Sequence, residues 1–417
     1  MNTLSTAWSL PPPVATRRDG LPLDCALDVP WLIRATLLAF IFLIPLETLG
    51  HESETSSFTI SRLAGMVLLA SCLIRPRLLV HRPHPVTVWG FVLMSFALIQ
   101  TVFVDPDLLG YAVGRYVTWL QMLVFFHLAQ PLLAAPALRR QAIYAYIAGA
   151  ALTSALLLSG SGLNAAMMEK GRTALGNLDP NVQAAIVGLA GVWLLALLLQ
   201  PSLSFARPLT WLAWAILALL ISASLLTGSR GGLIALCLGL VATTLLAGGL
   251  RHPVLALLFV LVGLAGLGLV VTQNELMMDR IRQSVEAGDT AGRDYIFASS
   301  LDLWWHRPVA GWGLGANEGA LGGYTNTTLR DMHSIYLYAL TAGGAVGAVL
   351  LGGLLWTSVR SAIRLPSGLY RQIALGGLIF VLTFGGTVTI LFFKFFWVAL
   401  ILASSLSDAR LPRMKLA

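Results

Sequence analysis

The sequence predicts an all-α, polytopic membrane bundle, from its composition, its uninterrupted apolar runs and the distribution of its positive charge. Hydrophobic residues fill 57% of the 417 positions and charged residues 11%, where a soluble domain carries roughly a quarter charged. The segments 209–228 and 253–271 hold no charge at all. A hydrocarbon core of roughly 30 Å needs about 20 helical residues, so either segment can span it. Unpaired peptide groups are too costly in lipid for anything but helices or closed barrels. Barrel strands alternate apolar and polar residues, whereas here Leu, Ala, Val and Gly run on without alternation.

Apolar runs mark about twelve spans, near 31–49, 58–74, 86–104, 111–128, 141–158, 181–199, 209–226, 231–247, 253–272, 334–356, 372–386 and 389–406. The last two are separated by Gly385-Gly386, which reads either as a tight turn or as a kink in one longer helix. This divides the chain into a cytoplasmic tail (1–30), a membrane domain (31–406) and a second cytoplasmic tail (407–417). The first thirty residues lack the short apolar core and cleavage site of a signal peptide. Positive charge sets the orientation. With the N-terminus inside, Arg75, Arg77, Arg82, Arg139, Arg140, Arg207, Arg251, Arg360, Arg364 and Arg371 all fall on the cytoplasmic side. Glu47, Glu52, Glu54, Asp105 and Asp107 fall on the other. A bacterial-type inner membrane with a periplasmic outer face is the setting this implies.

Two outer loops exceed what connection requires, 159–180 and 273–333, the second between the ninth and tenth spans. Long loops of this kind usually carry function. From Asp294 to Trp305 the apolar residues recur at helical spacing, which suggests an amphipathic helix lying on the membrane surface or closing the bundle. Outer loops should be poor in cations, yet these hold Lys170, Arg172, Arg230, Arg280, Arg282, Arg293, Arg307 and Arg330, with Arg62 and Arg115 near outer span ends. A phosphate-bearing ligand accounts for that reversal, because guanidinium pairs bidentately with phosphate oxygens.

Arg230 is the sharpest instance. It lies in Thr227-Gly228-Ser229-Arg230-Gly231-Gly232 between two uncharged runs. A charge at that depth needs a partner or a solvated cavity; the plainer reading is an arginine snorkelling to the interface. His333 opens the tenth span, where an imidazole can take a proton from a hydroxyl near neutral pH. Gly343-Gly344 follow about three turns later and would let that helix pack closely. Trp312-Gly313-Leu314-Gly315 has no preceding strand and so does not read as a nucleotide loop. Gly176-Asn177-Leu178-Asp179-Pro180-Asn181 reads as a turn and a helix start, with Pro180 suited to the first helical position. Cys25, Cys72 and Cys237 read as small packing residues. No His, Cys or carboxylate set has metal spacing, so neither a metal nor another cofactor is expected.

Four ordered segments resemble the O-antigen ligase family and its polymerase and oligosaccharyltransferase relatives. They are Gly176-Asn177 through Gln183, Thr227-Gly228-Ser229-Arg230-Gly231, Gly292-Arg293 through Trp312-Gly313-Leu314-Gly315, and His333-Ser334 through Gly343-Gly344. The resemblance implies transfer of a glycan from undecaprenyl pyrophosphate to an acceptor hydroxyl, which in the ligases belongs to the lipid A-core. It implies that Arg230 and Arg293 hold the pyrophosphate and that His333 acts at the acceptor. Arg62, Arg115, Arg172, Asn177 and Tyr336 are the further substrate-binding candidates. Membrane lipids are the expected surroundings, and no nucleic-acid partner is expected. A polymerase acting on lipid-linked glycans is the nearest alternative. A transporter or flippase is a different class that would also need basic residues facing a lipid phosphate; internal repeats with paired broken helices would mark one, and no convincing repeat is visible.

Overall fold

A computed structural model of the chain describes residues 29–47, 59–163, 172–200, 207–247 and 261–405, apart from 262, 264, 267, 270, 274, 287–289 and 291. Residues 1–28, the second expected tail, Cys25, Glu52, Glu54, Lys170, Arg251 and residues 253–260 of the expected ninth span lie outside the described residues. What is described is helical, and the sole β-contact there is an isolated antiparallel bridge between Leu163 and Leu175.

The helices are α1 (Trp31–Leu43), α2 (Ile60–Cys72), α3 (Pro85–Thr101), α4 (Pro106–Leu133), α5 (Pro136–Ser159), α6 (Pro180–Leu198), α7 (Arg207–Leu226) and α8 (Arg230–Leu245). Then come α9 (Glu275–Glu286), α10 (Arg293–His306), α11 (Ala316–Tyr324), α12 (Ile335–Ile363), α13 (Leu369–Gly385) and α14 (Lys394–Ser404). Among the described residues, α4, α5, α6, α7 and α12 are long and apolar enough to cross a membrane, and six further apolar helices are shorter. Gly385-Gly386 form a turn, since α13 stops at Gly385 and a 3-10 turn, Ile390–Phe392, precedes α14. The long loop before α12 is itself built from α9, α10 and α11.

Local signals start these helices. Proline occupies the first turn of α3, α4, α5 and α6, where its missing N–H would have had no intrahelical partner. Asp105, Asp179, Ser229 and Ser334 cap α4, α6, α8 and α12 by accepting first-turn N–H groups. Of these, α6, α8 and α12 begin at one end of the bundle, here the capped end.

The centre is α6, which has nearly every side chain buried from Pro180 to Leu197, as expected for a helix that is apolar all round. It packs against α7, α8 and α13. Lipid-like surroundings give helices no hydrophobic reason to associate, so close packing over small residues must do it. A Cβ at Gly239 would lie 2.7 Å from Val192, and one at Gly376 would lie 2.2 Å from the Thr243 hydroxyl. At the periphery, α7 turns Leu209, Trp211 and Leu212 outward, which suits a lipid-facing helix.

The role of Gly343-Gly344 is larger than the sequence suggests. Gly344 adopts φ 61°, ψ −157° and breaks α12. The glycine pair thus permits close packing, Gly343 against Phe96 of α3 and Gly344 against Val309, and also a break that the sequence pattern does not reveal. The loop after α10 fills the gap: Trp312 and Gly313 donate to the Thr341 and Ala342 carbonyls at 2.9 and 2.8 Å, and Ala345 and Val346 donate to the Pro308 and Val309 carbonyls at 2.8 and 3.2 Å. Gln100 from α3 adds a bond to the Ala342 carbonyl at 3.0 Å. The Trp312-Gly313-Leu314-Gly315 motif is thus structural. The α10 helix differs from expectation too: it is present, but its outer side carries Tyr295, Leu301 and Trp305 while Ser299 and Ser300 are buried, so it is not divided into polar and apolar faces.

A Cβ at Gly344 would sit 2.3 Å from the Val309 carbonyl carbon, in a backbone region that L side chains rarely adopt. Gly344→Ala should therefore lose stability, by about 1–3 kcal/mol for the backbone conformation alone. Gly352→Ala, where an added Cβ meets nothing within 4 Å, should be neutral. Thermal unfolding of the detergent-solubilised protein compares the two; equal melting points would mean the break does not depend on glycine.

Candidate active site

The capped ends of α6 and α8 are tied together by one buried amide. Asn181 Oδ1 accepts from Ser229 Oγ at 2.9 Å and from Arg172 Nη2 at 3.0 Å. Arg172 Nε also donates to the Thr227 carbonyl at 3.1 Å, and Thr173 Oγ1 to the Leu226 carbonyl at 2.6 Å. Ser229 serves at once as cap and cross-link, since its Oγ also accepts from Gly232 N at 3.1 Å. Asn177, the asparagine singled out in the sequence, is exposed on the preceding turn. Asn181 makes the bonds, and the signal for it was its place one residue inside a helix start.

Arg230 is the first residue of α8, and its Nη1 donates to the Arg280 carbonyl on α9 at 3.1 Å. That helix seats Met277 beside Leu225 and Val271. Arg293 opens α10, and its guanidinium makes no hydrogen bond among the described residues. Arg172, Arg230, Arg280 and Arg293 stand within electrostatic range of one another, with Asp179 and Asp331 as the opposing charges. Burial first, then mutual repulsion, pulls Arg172 down to about 10 and lowers Arg293. Among the described residues the like charges of Arg172, Arg230, Arg280 and Arg293 gather near the starts of α8 and α10, where helix N-termini and their dipoles also favour an anion.

His333 closes the cluster from the other side. It sits just before α12 at φ 52°, a left-handed conformation uncommon outside glycine. Its backbone N–H donates to Asp331 Oδ2 at 3.2 Å, and ring Nδ1 lies 3.4 Å from the same oxygen. Burial lowers the imidazole below its ordinary value; Arg293 and Arg330 push the same way, while Asp331 and Asp179 oppose. A neutral ring with 29% of its side chain exposed can accept a proton from a bound molecule.

The structure thus brings Arg172, Arg230, Arg293 and His333 together. Arg115 is held differently: its Nη2 pairs with Glu318 at 2.9 Å, beside Tyr111, which also donates to Glu318, and its guanidinium lies 4.5 Å from the Phe392 ring centroid. Glu318 on α11 is fully buried, and burial raises its carboxyl despite Arg115. Asp331 also lies within range of Glu318, so this pair borders the cluster. The Tyr336 hydroxyl donates to the Leu382 carbonyl of α13 at 2.8 Å. Arg62 stands in the first turn of α2, its N–H capped by Thr59 at 3.1 Å. Sequence reasoning passed over Glu318, Asp331 and the buried pair Lys394–Glu47. A lone lysine or glutamate within apolar sequence was the available signal. Among the described residues, no three His, Cys, Asp or Glu side chains are grouped to hold a metal ion.

Removing one partner of a buried ion pair costs about 3–5 kcal/mol, whereas replacing both by apolar groups is often neutral. Glu318→Ala should accordingly lower thermal stability more than the double variant Arg115→Met, Glu318→Leu. A double variant no better than the single one would show that the two charges are not coupled.

No curated protein matches the chain. Residues 215–352 match the family model described as O-antigen ligase, a stretch that contains Arg230, Arg280, Arg293, Asp331 and His333. Among the described residues five helices are long and apolar enough to cross a membrane, and the match, which covers less than half of the chain, makes this stretch similar to the O-antigen ligase family, membrane glycosyltransferases of ligase or polymerase type.

Proposed function

We propose that this protein is an O-antigen ligase that moves a glycan from undecaprenyl pyrophosphate to a hydroxyl of the lipid A-core on the periplasmic face of the inner membrane. The observation that carries the reading is the convergence of Arg172, Arg230, Arg280 and Arg293 with His333 at the capped end, within and beside the segment that matches the family.

In this reading Arg230 and Arg293 bind the pyrophosphate, and Arg172 and Arg280 add charge. Their positive field stabilises the negative charge that grows on the leaving group, a task guanidinium performs without a metal. The acceptor oxygen forms a bond to the anomeric carbon as the bond from that carbon to the pyrophosphate oxygen breaks. The acceptor proton passes to His333, and undecaprenyl pyrophosphate leaves. A single in-line displacement inverts the anomeric configuration. The long loop, with α9, α10 and α11, lies outside the membrane in about twelve crossings, including the shorter apolar helices.

The test is transfer by purified protein, with an undecaprenyl-pyrophosphate-linked glycan, a lipid A-core acceptor and EDTA. Arg230→Ala, Arg293→Ala and His333→Ala should each lose at least about 100-fold in rate, the lower end for a general base or an electrostatic group. Lysine at 230 or 293 should restore little, being a point charge without a planar fork. Normal transfer by Arg230→Ala removes the reading. Elongation of lipid-linked glycan, with no transfer to the lipid A-core, assigns the polymerase instead.

For orientation, Thr328→Cys places a thiol on the exposed connection between α11 and α12. In a background without Cys25, Cys72 and Cys237, an impermeant thiol reagent should label it only from the periplasmic side. Labelling from the cytoplasm inverts the arrangement.

A further inference from the structure

We propose that Asp331 is the positioning residue for His333, its carboxylate binding backbone and ring of the same histidine so that Nε2 is the atom presented to the acceptor hydroxyl. The proposal rests on the reading that His333 receives the acceptor proton, and it adds the group that sets the ring's tautomer and orientation.

The segment between them is anchored from below. Met332 is fully buried, and its sulfur accepts from Asn317 Nδ2 at 3.5 Å. Asn317, also fully buried, donates to Thr341 Oγ1 at 3.0 Å. Arg330 N donates to the Glu318 carbonyl at 2.9 Å, and Ser334 caps α12. With its neighbours held on both sides, His333 is kept at φ 52°, which costs roughly 1–2 kcal/mol for a residue other than glycine. The Asp331 Oδ2 contact to its N–H at 3.2 Å offsets part of that cost.

The same oxygen lies 3.4 Å from Nδ1, which is longer than a fully formed hydrogen bond and can tighten when a substrate closes the site. A carboxylate there favours the neutral tautomer with its proton on Nδ1, leaving the Nε2 lone pair to accept. Asp331 Oδ1 is buried with no partner among the described residues, so the carboxylate's remaining capacity is not committed elsewhere. The charged groups facing the ring are Asp331, Arg293 from α10, Asp179 from the start of α6, and Arg330. The two arginines disfavour imidazolium and the two aspartates favour it. Asp331, the only one in ion-pair contact, would stabilise the imidazolium that forms when the acceptor O–H proton arrives at Nε2.

The experiment uses full-length protein in nanodiscs with Asp331→Asn, Asp331→Glu and His333→Gln. Transfer is followed against pH, and the His333 ring is titrated by nitrogen-15 NMR, its resonance identified by its loss in His333→Gln. Asp331→Asn should slow transfer roughly 10- to 100-fold, a part of what a general base supplies. Losing the carboxylate that favours imidazolium should also move both the His333 titration and the acid limb of the rate profile to lower pH. Asp331→Glu should recover most of the rate and return both titrations toward the original. A slower Asp331→Asn with both titrations unmoved would make Asp331 merely structural and overturn the proposal. The NMR titration needs no turnover. If it shifts while His333→Gln still transfers at full rate, the contact exists but the histidine is not the proton acceptor, and the role assigned to Asp331 falls with it. Should Asp331→Asn fail to fold, the tautomer in the unsubstituted protein decides: a proton on Nε2 is incompatible with the proposal.

Discussion

A peptide group without a partner in apolar surroundings is costly, and the break in α12 would leave several. The loop after α10 answers them, as Trp312 and Gly313 bond into one side of the break and Ala345 and Val346 bond back to the loop. One set of backbone bonds thereby joins the helix that Arg293 opens to the helix that His333 precedes. Without the break the loop would find no free carbonyls in α12, and α10 would have no fixed register against it. The distance between the cation-bearing helix and the histidine is therefore set by main-chain geometry.

The basic residues of the bundle divide into two kinds. Arg115 is satisfied by Glu318 and Tyr111, and Lys394 by Glu47. Those contacts join elements: α4 to α11 and the turn after α1 to α14. The arginines at the capped end are arranged otherwise. They stand within electrostatic range of one another, and burial together with like charge depresses Arg172 and Arg293. Structural ion pairs minimise that kind of repulsion, which the proposed anion site would use.

Burial, Arg293 and Arg330 bias the ring of His333 toward its neutral form, while Asp331 and Asp179 oppose them. Met332 and Asn317 hold the chain beneath the ring.

Much of this was legible in the residues alone. Hydropathy marked the apolar helical runs, of which five described helices are long enough to cross a membrane, because lipid imposes one rule on every peptide group. Pro180 marked a helix start because the first helical position is local chemistry; the Ser229 and Ser334 caps emerged with the structure. Arg230 stood out because charge in apolar sequence is expensive, while Arg293 and His333 took their expected roles from the family resemblance. Other features needed the tertiary structure. Gly343-Gly344 looked like a packing pair, and only the structure showed that Gly344 is also a break bridged by the loop after α10. Asn177 was the residue singled out from the sequence, and Ser229 and Arg172 instead meet Asn181. Arg115 and Arg230 were both lone cations, and the difference lay in Glu318, two hundred residues from Arg115 in the chain. A local sequence specifies what a residue can bond to; which partner is present depends on the folding of remote segments.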